Sequence, residues 1–91
     1  MTRPTFVSCW ISWVSDGARG LIGSAPGGLI TIRRAVCGWE AFQNGEEIAW
    51  GPRRHDALYR AADFAYKAAG AVTYAAQEAL AKELHLGPFY A

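Results

Sequence analysis

One stretch constrains this chain more than any other: Trp39-Glu40-Ala41-Phe42-Gln43-Asn44-Gly45-Glu46-Glu47-Ile48-Ala49-Trp50. Asn-Gly is the strongest short-range hairpin signal, because both central residues of a type I′ turn need positive φ. The hairpin runs through Gly51-Pro52 into a long alanine-rich segment with helical spacing. A sheet and a helix must then share one core, which predicts an α+β domain. A two-residue turn pairs Ala41 with Ile48 and Trp39 with Trp50 on one face. Glu40 and Glu47 fall on the other, with Phe42 and Ala49 between them.

The rest of the sheet follows from β-forming runs. Residues 5–14 read as a first strand, with Val7, Cys9, Ile11 and Trp13 on a core face. Trp10 falls on the outer face, partly exposed between two serines. Residues 15–28 read as a glycine-rich connection, in which Leu21-Ile22 is either an anchor or a short extra strand. Residues 29–43 read as a long second strand of inconsistent parity, which a bulge near Gly38 would reconcile. Residues 46–50 make the third. The expected sheet is therefore a three-stranded antiparallel meander closed by the Asn-Gly hairpin.

The helix starts near Arg54, with Asp56 in its first turn, where a negative charge suits the dipole. Leu58, Ala61, Ala62, Ala65, Ala68, Ala69, Val72, Ala75, Ala76 and Ala79 recur at helical spacing. Asp56–Arg60, Asp63–Lys67 and Glu78–Lys82 are acid-to-base pairs at four-residue spacing. Gly87-Pro88 closes the helix and Phe89-Tyr90 follows as an aromatic tail. At about 1.5 Å per residue, residues 54–86 would span roughly 50 Å. The prediction is one long or kinked C-terminal helix, with a possible break near Gly70. Its alanine ridge faces the bulky Ile11, Trp13, Trp39 and Trp50, large against small. Overpacking is expected from leucine at Ala65 or Ala69.

Ninety-one residues make a single domain, 1–91, and 52% of them are hydrophobic, enough for one core. The formal net charge of +1 gives no global field for nucleic acid or membrane, and it speaks against an acidic DNA mimic. Two cysteines are too few for a disulfide scaffold, and Cys9 and Cys37 read as buried reduced thiols, with a cross-strand disulfide as the alternative. The N-terminus lacks the pattern of a signal peptide, and no apolar run is long enough to span a membrane. These readings place the protein in the cytoplasm, with no membrane partner.

Catalytic chemistry finds no foothold. Gly17, Gly20 and Gly23 lack the Lys-Ser/Thr of a phosphate loop. His55 and His85 lie at opposite ends of the helix with no ligand-spaced partner, and His85 suits the helix dipole at that end. No enzyme, metal or cofactor is expected. Binding surfaces are better supported. Arg33-Arg34 and Arg53-Arg54 are the basic clusters, and they would form one patch at the sheet end, with Arg3 and Arg60 nearby. Trp10, Tyr59, Tyr66 and Tyr74 are aromatics beyond what a small core needs, and interfaces favour Trp, Tyr and Arg.

The opening Met1-Thr2-Arg3-Pro4-Thr5-Phe6-Val7, the small size and the hairpin leading into an alanine-rich helix resemble small phage-encoded inhibitors, the anti-CRISPR proteins. That resemblance implies a non-enzymatic inhibitor that blocks a bacterial CRISPR-Cas surveillance complex by occlusion, in the host cytosol. The leading expectation is such a protein-binding module, with Trp10, Arg33, Arg34, Arg53, Arg54, Tyr59, Tyr66 and Tyr74 as its partner-binding residues and a homodimer as a further possibility. The alternatives are a small nucleic-acid-binding module using the arginine patch, and a structural or dimerisation module.

Overall fold

The computed structural model describes residues 6–84. Six strands form one antiparallel sheet in sequence order: β1 (Phe6–Ser8), β2 (Ile11–Ser15), β3 (Leu21–Ala25), β4 (Gly28–Ala35), β5 (Gly38–Gln43) and β6 (Glu46–Gly51). Two helices follow, α1 (Arg54–Ala68) and α2 (Tyr74–Glu83). The α+β class stands, but the three-stranded sheet on one long helix does not.

The three extra strands come from turns with little sequence signature. Cys9 and Trp10 both adopt left-handed φ, +54° and +61°, so the expected strand 5–14 folds on itself and Ser8 pairs with Ile11. This is the type I′ geometry that Asn44 (φ +55°) and Gly45 (φ +81°) adopt at the expected place. A non-glycine residue pays about 1–2 kcal/mol there. Two side chains hold the strained turn: Trp13 Nε1 donates to the Ser8 carbonyl (3.1 Å), and the Tyr66 hydroxyl donates to the Trp10 carbonyl (3.1 Å). The expected loop 15–28 contains β3, as the Leu21-Ile22 alternative allowed. Ala25 pairs with Gly28 across Pro26-Gly27, a turn with proline at its second position and a positive φ at Gly27. The expected strand 29–43 breaks at Val36-Cys37, where Ala35 pairs with Gly38. That turn explains the inconsistent parity, and the bulge is not at Gly38.

The bulge lies in β6. Phe42 pairs with Glu47 and Ala41 with Ala49, so Ile48 is the extra residue. The shift sets Trp39 opposite Gly51 and Glu40 opposite Trp50. Trp39 stays buried. Trp50 turns to the outer face and is 42% exposed, which corrects its expected place in the core.

The helix-facing side of the sheet carries Ile11, Trp13, Leu21, Ile30, Ile32, Trp39 and Ala41. Ala57, Leu58, Ala61, Ala62, Ala65 and Tyr66 of α1 cover it. Large-against-small packing therefore holds with Trp13 and Trp39 but without Trp50. The helix approaches so closely that a Cβ at Gly51 would lie 2.5 Å from Asp56 Cβ and 2.7 Å from Ala57 N. Of the expected core face of the first strand, Ile11 and Trp13 are buried, while Val7 is exposed and Cys9 half-buried.

α1 stops where Gly70 adopts φ +93°. Gly70 N donates to the Lys67 carbonyl and Ala71 N to that of Tyr66, both at 2.9 Å, the paired bonds of a Schellman motif. Thr73 then caps α2, its hydroxyl accepting from Ala76 N (3.1 Å). The helix is therefore broken, and Ala69 is exposed at the cap, not part of the docking ridge. α2 is tied back by Gln77 Nε2, which donates to Asp63 Oδ1 (3.2 Å), and by buried Ala81.

Two of the three expected ion pairs form, Asp63–Lys67 (2.9 Å) and Glu78–Lys82 (3.8 Å). Asp56 instead meets Arg53 (3.2 Å), and Arg60 donates to the Trp50 carbonyl (2.7 Å) on the edge strand β6. The readings at Thr5, Arg3, His85, Gly87-Pro88 and Phe89-Tyr90, and the last residues of the predicted helix, lie outside the described residues.

Candidate arginine cleft

Neighbouring residues of a strand point to opposite faces. That rule divides the predicted arginine patch. Arg34 of β4 stands beside Trp39 of β5 on the helix side, with its guanidinium carbon 5.7 Å from the indole centroid. Arg33 stands on the outer side, 4.4 Å over the Phe42 ring. The turn from β6 into α1 brings two more guanidinium groups to the Arg34 side. Arg54, the first residue of α1, sits 6.0 Å from the same Trp39 centroid. Arg53 immediately precedes it and meets Asp56. Arg19 joins from the β2–β3 loop, held where its carbonyl accepts from Arg54 Nη1 at 2.9 Å. Sequence reasoning missed Arg19, because the loop carried no signal of where it would fold.

Arg19, Arg34, Arg53 and Arg54, with Trp39 below and His55 and Tyr59 alongside, line a cleft of about 730 Å³. Four arginines and one aspartate leave a local formal charge of +3 among the lining residues. The Asp56 carboxylate is already engaged, accepting from Arg53 N (3.3 Å) and Arg53 Nε (3.2 Å). The N-terminus of α1 opens at the same place, and its dipole adds to the positive field. Such a cleft suits an anion with oxygens spread over several positions, since each guanidinium presents a planar fork of donors.

The predicted aromatic residues separate into two groups. Tyr59 is half-exposed on the rim, its ring edge-on to His55 at 5.2 Å, while His55 stacks on Phe6 at 6.0 Å. Tyr74 is 74% exposed and edge-on to Trp10 at 5.1 Å. A second hollow of about 380 Å³ lies between them, lined by Val7, Ser8, Cys9, Trp10, Tyr59 and Tyr74. Tyr59 belongs to both hollows. Tyr66, one heptad beyond Tyr59, is fully buried beneath the Cys9-Trp10 turn, so it is a core residue and not an exposed grip. Burial, with the nearby Cys9 thiol second, pushes its phenol up to about 12.

Neither cysteine lies in a strand or is paired. Cys37 is exposed at the β4–β5 turn, and Cys9 is half-buried. Burial pushes the Cys9 thiol up, away from the thiolate that a nucleophile requires. Among the described residues no group of three His, Cys, Asp or Glu side chains is placed to hold a metal ion, and no helix is long and apolar enough to cross a membrane.

The outer face of the sheet differs in character. Leu29 and Trp50 are exposed there, with Phe42 and Arg33 among them. Glu40 and Glu47 share that face. A hydrogen bond between the two carboxyl groups, then desolvation, holds Glu47 above the ordinary carboxylate range. No protein-family model, curated protein or solved structure matches the chain.

Proposed function

We propose that this protein is a binding module that acts by contact, not catalysis, and that its arginine cleft holds an anionic group of its partner. One observation carries the reading. Arginines from a loop, a strand and a helix start converge around Trp39 with a single, already engaged carboxylate among them. Four like charges repel one another in the free protein, and an anion relieves that repulsion. The dispersed origin of the groups makes the cleft a product of the fold, in contrast to a run of basic residues along one element.

The test is calorimetric titration with inorganic polyphosphate across a salt series. Three to four contacts, at roughly 0.7 per contact as for single strands, give a slope of log K against log salt of about −2 to −3. Arg34→Glu and Arg54→Glu should abolish binding at moderate salt. Arg33→Glu, on the opposite face, should leave it intact. Equal loss in all three variants, or no binding by the native protein, overturns the proposal.

A second reading keeps the protein-occluding role and places it on the outer face. Leu29 and Trp50 are exposed by 57% and 42% there, and Trp50 stands opposite Glu40 in the β5–β6 register, next to Glu47 on the same face. A protein partner offering an apolar patch with one basic side chain would fit that face. Trp50→Ala should then weaken capture of the partner without changing polyphosphate affinity.

A further inference from the structure

We infer that the anion in the cleft is the backbone of a single-stranded nucleic acid, whose unpaired bases stack on Tyr59 and Tyr74. The inference rests on the anion-binding reading above and names its ligand. The two hollows have complementary chemistry. The first is cationic. The second, lined by Val7, Ser8, Cys9, Trp10, Tyr59 and Tyr74, holds no charged side chain, and Tyr59 is common to both. A polymer that alternates phosphates with flat apolar rings meets both environments along one track. A carboxylate-rich peptide meets only the first.

The rings are also set before any ligand arrives. Tyr59 is braced by His55, and His55 by Phe6, while Tyr74 is braced by Trp10. A ring already fixed loses little freedom when a base stacks on it. Tyr74 is 74% exposed on the first turn of α2, so most of its surface is open to a base. Bases within a duplex are stacked on their neighbours and cannot reach either ring. The outer face of the sheet is less suited to a phosphate strand: its Arg33 stands opposite Glu40 in the β4–β5 register, and Glu47 adds a second carboxyl group there.

The experiment measures polarisation of a labelled single strand of about a dozen nucleotides, a length within single-strand site sizes. The same strand as a duplex, inorganic polyphosphate of similar charge and a poly-glutamate peptide serve as competitors. The single strand should compete at least about 5-fold better than each of the others, one stacked base being worth that much or more. Tyr59→Ala and Tyr74→Ala should each weaken strand binding by about 5-fold or more and leave polyphosphate affinity unchanged. Tyr59→Phe should bind like the native protein. Both positions are surface-exposed, and a thermal melt confirms that each variant is folded. Polyphosphate binding with no preference for the strand, or with indifference to both tyrosines, overturns the nucleic-acid inference while the anion cleft stands. A preference for poly-glutamate overturns it in favour of an acidic protein. Failure of every probe removes the cleft and the inference together.

Discussion

Removing the Tyr66 hydroxyl tests how the sheet's least expected turn is held. Tyr66→Phe keeps the buried ring and deletes the hydrogen bond to the Trp10 carbonyl (3.1 Å). A buried bond of this kind contributes about 1 kcal/mol, and leaving a carbonyl without this donor raises the loss toward 2 kcal/mol. The pH dependence adds a signature that simple loss of packing lacks. The phenol rises from 10.0 to about 12 in the folded protein. A raised folded value means that the unfolded chain releases the proton first. The contribution is complete below pH 10 and is lost as pH climbs toward 12. By pH 11 about 1.4 kcal/mol of it has been lost. Urea melts of the native protein and of Tyr66→Phe at pH 7, 10 and 11 should show an advantage of about 1–2 kcal/mol for the native protein at neutral pH. The advantage should shrink to near zero by pH 11. A difference that stays constant across that range would refute the buried, hydrogen-bonded phenol.

Further substitutions probe the other joints. Gly70→Ala meets no atom within 4 Å yet must adopt φ +93°, so it should cost about 1 kcal/mol in a urea melt; a gain in stability would mean a continuous helix through residue 70. Gly51→Ala drives a methyl into the backbone of α1 and should cost about 1–3 kcal/mol, with loss of polyphosphate binding because Arg53 and Arg54 shift; unchanged stability would contradict the close strand–helix approach. Ala65→Leu should overpack by a similar amount, whereas Ala69→Leu at the exposed cap should be nearly neutral, and equal losses would argue against the break.

What the sequence revealed depends on where its signals are local. Asn44-Gly45 announces its turn because its residues suit left-handed φ, and the alanines of α1 announce a docking ridge by their spacing. Cys9-Trp10 makes the same kind of turn with residues that disfavour it, held from outside by Trp13 and Tyr66. No local reading of residues 5–14 could locate that turn. Val36-Cys37 likewise continues an apolar run and reads as strand. The bulge at Ile48 reversed the face of Trp50 because a one-residue shift exchanges every side chain beyond it. The cleft was legible in part. Arg34, Arg53 and Arg54 meet as expected, strand alternation removes Arg33, and Arg19 arrives through a tertiary contact with Arg54. Gly70 carried a stop signal, but the helical spacing of alanine on either side masked the break.

The most direct test of the arginine cleft is a backbone amide NMR titration of the full chain with inorganic polyphosphate. The largest shifts should fall at residues 19, 34, 39 and 53–56, around the Trp39 floor and the start of α1. Leu29, Phe42 and Trp50, on the far side of the sheet, should stay still. Shifts centred on those outer residues, or spread evenly over every surface arginine and lysine, would contradict the account.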